Sequence, residues 1–200
     1  MHHPHPSLPP ELVQVEDISF DLEKRGRVAV PRYHVEFNAN PGKSGIGLDR
    51  GYAMKPLVMV DKQAMFAEIA LLGLFTREGW DGVWADSFHR KYFTRMPNQS
   101  KGASLSPYIN QVLARIAGNN GNSRSGCWDL ILWRERTLLF VQLQNVRAGE
   151  EIKGARIAWL DAALKSGFSL SQFLVAEWDY RKVVVRRRNE GGGAHARGGE

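Results

Sequence analysis

Residues 126–145 constrain this chain more than any other stretch. Trp128 to Arg134 and Thr137 to Asn145 are two apolar segments of strand length, joined by a tight turn near Glu135-Arg136. A single acid, Asp129, is set into the first. In the second, Gln142 and Gln144 alternate with Val141 and Leu143, so both amides project from the same side of the strand. An acid inside an otherwise apolar strand is not incidental. It carries a function, present or ancestral, or it holds a structural hydrogen bond.

The flanking segments supply the rest of an α/β pattern. Leu12 to Phe20 and Arg27 to Phe37 read as a β-hairpin around a polar DLEKRG turn. The apolar phase of its second strand changes near Pro31, which predicts a bulge or an edge strand, because proline cannot donate to a ladder. Asp61 is expected to cap a helix with Met65, Ile69, Leu72 and Phe75 on its apolar face, ending near Gly79. Short strands at Gly82–Ala85 and Lys91–Phe93 follow. Ser106-Pro107 then opens a second helix with Ile109, Val112, Leu113 and Ile116 on one face. A third helix is expected from about Glu150 to Ser166, and strands from Phe173 to Trp178 and Lys182 to Arg187 close the pattern. This order predicts a mixed sheet flanked by helices. The boundaries expected are a flexible leader at 1–10, a β-rich extension and loop at 11–60, the main domain at 61–188 and a disordered Gly-rich tail at 189–200.

Composition narrows the function classes. Two hundred residues bury enough surface to hold a core without disulfides or a structural metal. The lone cysteine, Cys127, excludes an intramolecular disulfide framework and reads as a core thiol. No apolar run is long enough to span a bilayer and nothing near Met1 reads as a signal peptide, so a cytoplasmic protein without membrane contact is expected. The net charge is +6. Six basic residues and two acids lie from Arg181 to Glu200, so most of that excess belongs to the tail. Such a balance permits a nucleic-acid partner without demanding one. The GKSGIG run at 42–47 lacks the spacing of a phosphate loop and reads as a plain loop.

Gly126-Cys127-Trp128-Asp129-Leu130-Ile131-Leu132-Trp133, then Leu138-Leu139-Phe140-Val141-Gln142-Leu143-Gln144, then Ala158-Trp159-Leu160 resemble the VRR-NUC branch of the PD-(D/E)XK, restriction-endonuclease-like nucleases. That family shows a G-x-P-D-L strand, a strand ending in E-x-K and a helix with Q-x-x-W-L. An upstream helix carrying a glutamate and followed by Gly-Trp is matched by Glu68 and Gly79-Trp80. The resemblance covers roughly residues 61–180. It implies a restriction-endonuclease-like α/β fold, here with an N-terminal β-hairpin extension, and metal-dependent hydrolysis of DNA phosphodiesters with Mg²⁺ or Mn²⁺. Carried over by position, Glu68 and Asp129 are the metal ligands. Gln142 stands at the acid of E-x-K, Gln144 at its lysine and Arg156 at the helix glutamine, while Trp128 replaces the proline.

These departures define the functional alternatives. A neutral amide is a poor substitute for a carboxylate at Mg²⁺, and Gln144 brings no positive charge. Lys153 is the candidate for a migrated lysine, and Glu150 or Glu151 for a replacement acid. The resemblance accordingly implies an attenuated or inactive member of that family. The alternative is a catalytically dead module that binds nucleic acid or a protein partner. DNA contacts are expected from Arg90, Lys91, Arg156, Arg186, Arg187 and Arg188. The cluster His89, Arg90 and Lys91 is read either as a solvated turn or as a phosphate contact.

Overall fold

A computed structural model describes residues 7–23, 25–40, 47–48, 50–52 and 54–181. In chain order its strands are β1 (Val13–Gln14), β2 (Ile18–Leu22), β3 (Gly26–Val30), β4 (Arg32–Ala39), β5 (Leu57–Val60) and β6 (Gln63–Phe66), followed by helix α1 (Ala67–Arg77). Then come β7 (Asp81–Asp86), β8 (Lys91–Phe93), α2 (Pro107–Asn119), β9 (Leu130–Arg134), β10 (Thr137–Asn145), α3 (Ala155–Lys165) and β11 (Phe173–Tyr180). A nine-stranded mixed sheet runs in the order β6-β5-β4-β11-β10-β9-β7-β8, with β1 paired to β4, while β2 and β3 form a separate two-stranded sheet. The pairs β10–β11 and β11–β4 are parallel, and β7, β9 and β10 are joined antiparallel. The expected class, an α/β protein built on a mixed sheet flanked by helices, is present.

Strand alternation explains the two cores. Leu130, Leu132, Leu139, Val141 and Leu143 pack with Leu71, Leu72 and Phe75 of α1 on one side of the sheet. Ile131, Leu138 and Phe140 pack with α2, α3 and the small sheet on the other. Central strands buried on both faces read as continuous apolar runs, which is why this pair stood out in the sequence. Helix α2 begins as expected, with the Ser106 hydroxyl accepting from the Ile109 N–H at 3.3 Å and Ile109, Val112, Leu113 and Ile116 buried. On the α3 side, Trp159 meets Phe140 edge to face at 5.2 Å between centroids.

Five expectations need correction. The N-terminal hairpin is shorter than expected, Ile18–Leu22 against Gly26–Val30. Beyond Pro31 the chain leaves that small sheet, and β4 enters the main sheet between β5 and β11. The Pro31 carbonyl still accepts from the Val175 N–H at 2.9 Å, so the proline marks a strand changing sheets, not a bulge or an edge. Asp61 does not cap α1. Asp61 and Lys62 have φ of 48° and 64°, so they form the turn of a β5–β6 hairpin, and Met65 lies in a strand. Residues 7–10 are not a flexible leader, since the Ser7 carbonyl accepts from Trp80 Nε1 at 3.1 Å and Leu8 packs on the core. Helix α3 starts five residues later than expected, at Ala155, after Gly154 with φ of 58°. The strand expected at Lys182–Arg187, Arg186 to Arg188 and the Gly-rich tail lie outside the described residues.

Candidate functional site

Asp129 sits just before β9, where three strands meet. Its carbonyl accepts from the Ala85 N–H of β7 at 2.8 Å, and its carboxylate accepts from the Leu143 N–H of β10 at 2.9 Å. The β9–β10 register pairs Leu130 with Val141, so the next step places Asp129 beside Gln142. Gln142 Nε2 donates to the same carboxylate oxygen and also to the Leu143 carbonyl at 2.8 Å. Gln142 is fully buried (0 % exposed), and its Oε1 has no hydrogen-bond partner among the described residues. On the other side of Asp129, an Arg156 guanidinium nitrogen from the first turn of α3 stands 3.7 Å from Oδ1.

Glu68 enters the same cleft from the first turn of α1. Its Oε1 accepts from Lys55 Nζ at 2.6 Å, and the ammonium lies 5.3 Å from the Trp84 ring centroid and 5.5 Å from that of Phe66. The cleft encloses about 190 Å³, and Lys55, Glu68, Asp129, Glu150, Arg156 and Asp86 are the charged groups on its wall. Gly126 explains how α3 comes so near. It has φ of 77°, and a Cβ there would overlap the Ala155 carbonyl.

Burial dominates the electrostatics. It pushes the Asp129 carboxyl up to about 7; Glu68 adds to the rise, while Arg156, the Leu143 N–H and Lys55 oppose it. For Lys55, burial favours the neutral form, but the charge and hydrogen bond of Glu68, with Asp129 and Glu150 behind it, hold the ammonium above its ordinary value. Burial would also raise Asp86, yet donation from the Tyr52 hydroxyl and from the His89 N–H and ring holds it below the usual carboxylate range. Cys127 is pushed up to about 12 by burial, so it remains a thiol, as its core reading requires.

A second, larger cavity of about 890 Å³ adjoins this cleft and shares with it the wall formed by residues 85–88. Arg90, Lys91 and Arg124 line it and make no ion pair among the described residues. His89, by contrast, is tied to Asp86, Nδ1 to Oδ2 at 2.7 Å.

The structure thus brings together Glu68, Asp129, Gln142 and Arg156 of the sequence candidates. It does not bring the others in. Gln144 donates through Nε2 to the Glu150 carbonyl at 2.5 Å and does not line the cleft. Lys153 is exposed and paired with Glu151 at 3.3 Å, since in the segment before α3 it is Ile152 that turns inward. Beside Arg156, the cleft holds a second cation, Lys55, that is not among the sequence candidates. It lies in the stretch 11–60 expected as a β-rich extension and loop, and its pairing with Glu68 depends on the β5–β6 hairpin folding against α1. Glu150 does line the cleft, as one of the two candidate replacement acids. Asp86 and Arg124 were also missed.

The Mg²⁺ or Mn²⁺ that the resemblance implies can be tested against this donor set. Glu68 already accepts from an ammonium, and Asp129 from an amide and a main-chain N–H. A hard ion needs oxygens with free lone pairs in octahedral array. As partnered here, these residues do not fit such an ion without rearrangement. Comparison of the chain with family models, curated proteins and solved structures gave no match. No helix among the described residues is long and apolar enough to cross a membrane.

Proposed function

We propose that this chain is a restriction-endonuclease-like domain of the VRR-NUC kind that binds nucleic acid and hydrolyses it weakly or not at all. One observation carries the reading: the two carboxylates that would hold a metal are each occupied by donors of the protein itself, Glu68 by Lys55 and Asp129 by Gln142 and Leu143. Support comes also from the placement of the motif, since Glu68 from α1, Asp129 from just before β9 and Gln142 from β10 converge. The basic cavity beside the cleft offers three cations without carboxylate partners among the described residues, and DNA or RNA backbones select such groups.

A second reading has its own observation. Glu150 stands on the cleft wall with Glu68, Asp129 and Asp86, so a rearranged cleft would have a further acid for weak metal-dependent cleavage. The two are separated by incubating the full chain with labelled single-stranded and duplex DNA, with and without Mg²⁺ or Mn²⁺. Binding is followed by fluorescence anisotropy and cleavage by denaturing gel. The expected result is salt-sensitive binding without product. Robust metal-dependent cleavage lost in both Asp129→Ala and Glu150→Gln overturns the inactive reading in favour of the second. Absence of binding to every probe overturns the nucleic-acid reading itself.

A further inference from the structure

The turn between β7 and β8 is four residues long, Ser87 to Arg90, and is held far more firmly than a solvated turn needs. Asp86 at its base accepts from the Tyr52 hydroxyl at 2.5 Å, from the His89 N–H at 3.2 Å and from the His89 ring at 2.7 Å. Gly51 packs so closely that a Cβ there would meet His89 Nε2 at 2.5 Å. Arg90 has φ of 55°, a conformation that costs a non-glycine residue energy and persists only where surroundings impose it. The product of this bracing is an aromatic ring turned into solvent: Phe88 is 84 % exposed, with the His89 ring edge-on at 4.8 Å.

Phe88 stands on the wall shared by the cleft and the basic cavity. The cavity's volume of about 890 Å³ falls in the range that encloses small organic ligands. Arg124, steadied by donation to the Tyr92 hydroxyl at 3.3 Å, faces it from the loop after α2, and Arg90 and Lys91 flank the ring in sequence. An exposed ring carried on a braced turn, with three cations around it that pair with no carboxylate among the described residues, matches one chemistry well. Unpaired bases stack on aromatic faces while basic groups follow the phosphates, whereas a duplex keeps its bases stacked on each other. We infer that this cavity takes an unpaired nucleotide of a single strand, its base stacked on Phe88 and its phosphates met by Arg90, Lys91 and Arg124. The inference rests on the nucleic-acid reading above and specifies its substrate as single-stranded or frayed.

Three fluorescein-labelled probes of equal length test it by anisotropy on the full chain: an oligothymidylate, the same backbone with abasic sites, and a blunt duplex. The oligothymidylate should bind most tightly. Phe88→Ala, at a position too exposed to disturb folding, should weaken that binding about 5- to 150-fold, the range of one base–aromatic stack, and leave abasic binding unchanged. Phe88→Trp should restore it. Arg90→Ala with Lys91→Ala should weaken both single strands and flatten the log–log salt slope by about 0.7 for each phosphate no longer neutralised. If thymidine and abasic strands bind alike, or Phe88→Ala weakens both equally, the stacking assignment is overturned while nucleic-acid binding stands. If none of the three probes binds, both fall.

Discussion

Raising the pH through neutrality should destabilise this fold, and Asp129 sets the size of the effect. Its folded pKa of about 7 lies above the ordinary 3.8 because burial penalises the anion. The folded chain therefore keeps a proton through a window in which the unfolded chain has lost it. The stability this group contributes is fully present below about pH 4 and is lost as pH rises through 7. At about 1.4 kcal/mol per unit, a gap of some three units sets a ceiling near 4 kcal/mol, and local relaxation brings the expected loss to about 2 kcal/mol. That is a large part of the roughly 5–15 kcal/mol that holds a domain together. Asp129→Asn keeps an acceptor for the Leu143 N–H and cannot ionise. Urea titrations followed by tryptophan fluorescence, from pH 4 to pH 8.5, should show the variant close to wild type at the acid end and about 2 kcal/mol more stable at the alkaline end. Other carboxylates titrate in both proteins and cancel in the difference. A difference that stays flat across the range would mean that Asp129 is ionised throughout, and would refute the role given to burial.

Two further substitutions probe what shapes the cleft. Gly126→Ala adds a Cβ against the backbone of Ala155 at a φ of 77°, with no flexible side chain to yield, and should cost about 3 kcal/mol. Gly167→Ala, at φ of 87° with open space around it, should cost about 1 kcal/mol, so equal losses in urea would refute the steric contact. Lys55→Met leaves Glu68 buried beside Asp129 without its cation and should cost about 2 kcal/mol, allowing for the partial exposure of the lysine. Adding Glu68→Gln should recover most of that loss, and a single variant as stable as wild type would show the pair to be idle.

What the sequence revealed depended on the range of the forces involved. The β9–β10 pair and α2 were legible because their signals are local: apolar runs bounded by a turn, and a serine cap followed by proline at the first helical position. Asp61 misled because aspartate before an apolar run is equally a helix cap and a hairpin turn. The usual marker of that turn, a following glycine, is here Lys62. Pro31 pointed to a bulge or an edge because it cannot donate, but a missing N–H does not say which strand the chain will join next, and β4 lies inside the main sheet. β4 reaches the centre of the sheet only through its parallel register with β11, a partner more than 140 residues later.

The cleft divides along the same line. Asp129 and Gln142 are neighbours because adjacent strands in register must set them side by side, and that much follows from spacing. Lys55 follows from nothing local. It reaches Glu68 because a hairpin folds back onto the helix it precedes, and once there its charge alters what the cleft can do. The sequence pattern held the acids but not their state, which depends on the groups brought to them: a buried amide and N–H on Asp129, an ammonium on Glu68. A divalent ion would have to displace both sets of donors and regain their hydrogen-bond energy at a position where Gln142 stands in place of the E-x-K acid. The three cations of the neighbouring cavity face no such competition, since none forms an ion pair among the described residues. On the proposed reading, a polyanion lying across the shared wall at residues 85–88 would meet cations without ion pairs around Phe88 on one side, and acids already held by the protein's own donors on the other. That division favours holding a strand over cutting it.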